Sequence, residues 1–210
     1  MGILIQAKSS EMQLSSIISN RVNESLRLYN GLESDHLYIA NLQQLGKKLL
    51  ELTHSGGKAL LFGNGGSHCQ SSHLATELLI RYKSGSKRPA LPAICISSDS
   101  GIITAASNDF SFSEIFSRQV EVLTKPNDII IGFSTSGQSE NFVHGIYKAS
   151  MIVGKENVFS IIGSRSSKIL DDNSIVISNP LATTTALCQE FHLFTLHCAC
   201  ELLEFSFNHD

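Results

Sequence analysis

The sequence predicts an α/β protein: a doubly wound, parallel, five-stranded sheet flanked by helices and preceded by N-terminal helices. Two observations predict it. Five short apolar runs have the character of strands buried on both faces. Between them lie stretches of helical periodicity, and strands that alternate with helices close into a parallel sheet through right-handed crossovers. A chain of 210 residues is long enough for one such unit with a sizeable core.

The elements follow in order. Met12, Leu14, Ile17, Ile18, Val22, Leu26 and Leu28 recur near helical spacing over about residues 10–29. Asp35 is placed to cap a second helix carrying Leu42, Leu45, Leu49 and Leu52, and Gly56 with Gly57 stops it. Residues 59–62 form the first strand, followed by Gly63-Asn64-Gly65-Gly66-Ser67 and a helix over about 68–81. The segment 83–92, with Pro89 and Pro92, reads as an exposed loop before a second strand at 93–96. The third strand, 128–133, runs into Ser134-Thr135-Ser136-Gly137-Gln138-Ser139 and another helix. Strands at 158–162 and 174–177 and a last helix over about 184–205 complete the series. The chain divides into an N-terminal helical segment, 1–34, and a single globular unit, 35–210.

A formal net charge of −3 provides no basic field for nucleic acid. An anionic ligand therefore needs a local site of backbone amides and hydroxyls. No run of eighteen apolar residues occurs, so no membrane span is expected, and the apolar run near the start is too short for a secretory signal. The cysteines, Cys69, Cys95, Cys188, Cys198 and Cys200, are odd in number and form no CxxC pair. They are expected to be reduced thiols in a cytoplasmic protein, each a small buried hydrophobe.

Two loops at strand ends carry the chemistry, because ligands of such sheets bind beyond the carboxyl ends of the strands. In the 134–139 loop a glycine permits a tight turn, and free amides at a helix start join four hydroxyls into an anion cradle without any lysine. Without a ligand the same residues make a serine-rich helix cap. His73 and Glu77, four apart, share one helix face just behind the glycine loop. Such a pair can share a metal or a proton path, although on a surface it is commonly only a solvated pair.

The phrase GFSTSGQSENFVHGI resembles the phosphate loop of SIS-domain (sugar isomerase) proteins. GNGGSHCQSSHLATEL, ASNDFSFSEIFSRQVE and QEFHLFTLH are similar to segments of bacterial phosphoheptose isomerases, in that family's order and spacing, over roughly residues 37–204. The resemblance implies the SIS fold and conversion of sedoheptulose 7-phosphate to D-glycero-D-manno-heptose 7-phosphate through an enediol, for surface-polysaccharide heptose. It implies that Ser134, Thr135, Ser136 and Ser139 hold the phosphate, and that Asn64, Gly65, Gly66, Asn108, Asp109, Glu77 and Gln189 contact substrate. It implies Glu77 as base and His197 as acid. It further implies one zinc per subunit on His73, Glu77, Gln189 and His197, either catalytic or structural, and a homotetramer with sites at subunit contacts.

Gln189 and His197 stand eight residues apart, a rise of about 12 Å, so a shared metal needs leaning side chains, a bent helix or a neighbouring chain. His192 matches another histidine of that helix, with less claim to direct chemistry. Asn108-Asp109 read without the family is a turn with Asx hydrogen bonds. The sequence departs from the family at Ala186 and Leu187, where an acidic residue and an arginine are usual. That departure keeps a third reading open, isomerisation of another phosphosugar. A second reading is a non-catalytic SIS protein that binds the bacterial replication initiator, which retention of Glu77 and His197 argues against.

Overall fold

In the computed structural model five strands form one parallel sheet: β1 (Ala59–Gly63), β2 (Ala93–Cys95), β3 (Ile129–Ser134), β4 (Val158–Ile162) and β5 (Ile175–Ile177). The structure describes the backbone of residues 2–164 and 167–208, and side chains of 13–164 and 167–207. The strand order is β2-β1-β3-β4-β5, and each strand lies within a residue of its predicted run. β1, β3 and β4 are buried along their whole length, which is why their sequences are continuously apolar instead of alternating.

Neighbouring residues of the central strands feed opposite cores. Leu61, Ile131 and Phe133 pack with α2 (His36–Ser55), α3 (Gly66–Leu79) and α8 (Thr185–Asn208). Leu60, Phe62 and Ile130 pack with α5 (Ser117–Leu123), α6 (Glu140–Val153) and α7 (Lys168–Asn173) on the other face. This is the doubly wound arrangement. Asp35 caps α2, accepting the Tyr38 N–H at 3.0 Å, and Gly56 ends it. The helices α4 (Ser100–Asp109), α5 and α7 escape sequence reading. None of the residues of α4 is fully buried and only Ile103 and Ala106 pack partly on the core, so its apolar stripe is weak, and the other two are too short for a period.

Two features stand out. The 83–92 segment is not simply exposed: Leu91 and Arg88 are buried. The Arg88 guanidinium donates to the Leu78 carbonyl at 3.0 Å and to that of Glu77, the open end of α3. Glu204 on α8 balances its charge at 3.1 Å. The other feature is α1 (Gly2–Tyr29), which buries Leu28 yet leaves Leu14, Ile17, Ile18, Val22 and Leu26 more than half exposed.

Candidate active site

Strands β1 and β3 are neighbours with Gly63 opposite Phe133, and the strand order reverses there. The loops that follow them emerge side by side at the carboxyl edge, the position where open α/β sheets bind ligands. A pair of amides ties the two loops. Asn64 donates to Asn141 at 2.8 Å, and Asn141 donates back at 2.9 Å. Asn141 is buried at the start of α6 and also accepts the Phe142 N–H. Sequence reading missed it, although it follows the serine loop directly. Gly66 is closely approached: a Cβ there would lie 2.0 Å from the Gln189 amide nitrogen, so a side chain at this position would displace the end of Gln189. Gln189 therefore stands against the first loop.

The second loop is braced from within. The buried Ser134 hydroxyl accepts the Gly137 N–H at 3.0 Å, and the Ser136 hydroxyl accepts that of Gln138 at 3.1 Å. Gly137 supplies the left-handed turn with φ of 66°. Ser139 is the N-cap of α6, and its hydroxyl makes no capping bond. The half-buried Thr135 and Ser139 and the exposed Ser136 surround the first-turn amides of a 14-residue helix, of which the Phe142 N–H is taken by Asn141. Such a cradle suits a phosphate group.

A second cluster forms where α3 and α8 run side by side in the same direction, Gly66 beside Gln189 and His73 beside His197. The two imidazole Nε2 atoms are 3.0 Å apart, so one donates and the other accepts. Glu77 Oε1 lies 3.4 Å from His73 Nε2, and the Glu77 side chain is only 17% exposed. Burial, reinforced by the adjacent His73, lowers the pKa of His197, while Glu77 and Glu201 oppose the shift. The Tyr82 ring sits 5.5 Å from the His197 ring. Burial and its hydrogen bond to Glu201 push the Tyr82 phenol up to about 12. A carboxylate and a neutral imidazole held this way can pass a proton to and from a bound carbon acid.

The donor set of the cluster, two imidazoles and a carboxylate, fits zinc chemistry. As they stand, the two imidazoles bond to each other with Glu77 beside His73, and among the described residues no group of three His, Cys, Asp or Glu is placed to hold a metal ion. Gln189 reaches the loop instead of the histidines, because eight residues of straight helix separate it from His197. Asn108 and Asp109 are exposed in the last turn of α4, bonded to each other at 2.9 Å. One chain thus carries the expected residues in three places. His73 is seven residues along α3 from Gly66, about 10 Å from the loop end.

The cysteines are free, but Cys69 is exposed on α3, against the expectation that all five are buried. Where the family's charged pair was expected, Ala186 is exposed and Leu187 packs into the core. Nearby, His192 is fully buried with neither ring nitrogen hydrogen-bonded among the described residues, its ring 5.7 Å from that of Phe133. Burial lowers its pKa from 6.5 to about 4, and the Ile162 backbone opposes the shift. A histidine neutral in the fold stabilises above pH 6.5 and loses that contribution as pH falls toward 4, roughly 3 kcal/mol in all. Urea melts at pH 7.5 and 4.5 should show this loss in the wild type. His192→Leu should flatten it while staying folded at neutral pH, and an equal loss in both proteins removes His192 as the cause.

Comparisons with known proteins bear on the family and the fold. A family model described as SIS domain matches residues 26–153. A phosphoheptose isomerase of Leptospira biflexa is 34% identical over 193 residues, 92% of this chain and 96% of its own. One of Trichlorobacter lovleyi is 35% identical over 198 residues, covering 91% and 94%. The solved phosphoheptose isomerase of Francisella tularensis superposes with a TM-score of 0.77 at 28% identity, covering 93% of this chain and 98% of that one. The Neisseria gonorrhoeae structure gives 0.76 at 26%, covering 91% and 99%.

Proposed function

Because the chain belongs to the phosphoheptose isomerase family of SIS-domain proteins, we propose that it interconverts sedoheptulose 7-phosphate and D-glycero-D-manno-heptose 7-phosphate. The observation that carries this reading is the convergence of Glu77, His73 and His197 on one half-buried edge of α3 and α8. Ser134, Thr135, Ser136 and Ser139 grip the phosphate with the first amides of α6. Gly65, Gly66 and Gln189 line the sugar's path beside them, and Asn64 holds the two loops in register. Asn108 and Asp109 supply an outer contact. Glu77 removes the proton from the carbon next to the carbonyl, and the neutral His197 donates one to the carbonyl oxygen, giving the enediol. His73 accepts from or donates to His197 and so fixes its tautomer. Zinc on His73, Glu77 and His197 would polarise the substrate oxygens when bound.

The distance from the loop to the histidine cluster along α3 supports a site shared between chains. The apolar face of α1 offers the surface on which further copies pack, and a homotetramer in the cytoplasm is the assembly we propose. No described helix is long and apolar enough to cross a membrane.

Mixed oligomers test the whole reading. Wild type should convert the seven-carbon ketose phosphate. Glu77→Gln chains and Ser136→Glu chains, each inactive alone, should regain activity when coexpressed and purified as mixed assemblies. Mixed assemblies that form and stay inactive would overturn the shared site. A wild type without turnover would overturn the reaction.

A further inference from the structure

Resting on the reading that these loops hold a phosphosugar, we propose that His68 is a specificity residue that hydrogen-bonds the sugar's hydroxyls and favours a seven-carbon chain. A cleft of about 240 Å³ opens beside the first loop. Its polar wall is Asn64, His68 and Ser97, and its apolar wall is built by Ile103, Phe112 and Phe116. Apolar rings facing a few polar groups match a sugar, whose C–H faces and hydroxyls need both.

The polar wall is not equally free. Both ends of the Asn64 amide are committed to Asn141. His68 is held differently. Its Nδ1 lies 3.0 Å from Ser97 Oγ and 3.6 Å from Cys95 Sγ, and those two groups are 3.4 Å from each other. Ser97 and Cys95 at the end of β2 thus fix the ring, while Nε2 has no hydrogen bond among the described residues. An imidazole nitrogen can donate or accept, so it serves a hydroxyl in either role. His68 lies in the first turn of α3, on the side of the helix that faces Ser97 and the cleft, beside Asn64 and Gly65 of the first loop. Its hydrogen bond would be made equally in ground and transition states, so it should act on binding more than on turnover.

The test is calorimetry and kinetics on the full-length protein, with sedoheptulose 7-phosphate, a five-carbon ketose phosphate and inorganic phosphate as ligands. His68→Ala should weaken binding of the seven-carbon sugar about tenfold and raise KM in step, with kcat within about threefold. Affinity for inorganic phosphate should not change, and the preference for seven over five carbons should shrink by a similar factor. His68→Asn, which keeps an amide near Ser97, should recover part of the loss. A His68→Ala protein that melts lower but keeps both sugar affinity and preference would assign the residue a structural role and overturn the proposal. If wild type binds the sugar without isomerising it, the reaction assigned above fails while the binding ratio still decides for or against His68. If wild type binds no sugar phosphate, both fail.

Discussion

Glu77→Gln should lower kcat by about 10²- to 10⁴-fold while leaving KM and the melting temperature close to wild type. The substitution keeps the size of the side chain and an oxygen to face His73, 3.4 Å away, so the packing of α3 on α8 survives. What it removes is the ability to take a proton. A base acts only as the C–H bond breaks, so its loss appears in kcat and not in binding. Exchange of substrate hydrogen with deuterated solvent, followed by NMR, reads that step directly and should fall with turnover. His197→Ala should cost a similar factor, yet it also strips His73 of the partner at 3.0 Å, so the glutamine variant is the cleaner measurement. A Glu77→Gln enzyme within tenfold of wild type would remove the carboxylate from the chemistry.

The strands and loops were legible because their signals are local. A continuous apolar run such as Ile129–Phe133 can be little else than a buried strand, and a glycine–serine loop at its end marks the carboxyl edge. The pairing of His73 with Glu77 was legible from helix spacing alone. Its closure by His197 came through family resemblance, since 124 residues separate the two histidines and nothing local in the sequence links them. Asn141 and Tyr82 went unread for the same reason: each matters through a distant partner, Asn64 in one case and His197 in the other. Gln189 was carried over by resemblance alone, and its neighbours could not be read locally. Helical rise separates it from His197, and the structure sets it on Gly66 instead.

Arg88→Ala should destabilise the protein by about 3–5 kcal/mol, the largest loss expected from any single surface-loop residue. Arg88 and Glu204 are 2% and 1% exposed, so truncating the arginine leaves a carboxylate buried without its counter-charge. It also strands the Glu77 and Leu78 carbonyls that its guanidinium satisfies at the end of α3. Urea melts of the single variants and of Arg88→Met/Glu204→Leu should separate the two costs. The double variant removes both charges together and should recover a large part of the loss, because an apolar pair of similar volume needs no desolvation. What it cannot recover is the carbonyl bonding, and that residue of the effect falls on the turn that carries Glu77. Arg88→Lys sharpens the point: it keeps the charge but not the planar fork, so it should hold most of the stability while lowering kcat through a displaced base. If Arg88→Lys instead matches wild type in kcat and Arg88→Ala costs under about 1 kcal/mol, the loop merely covers α3 and does not position it.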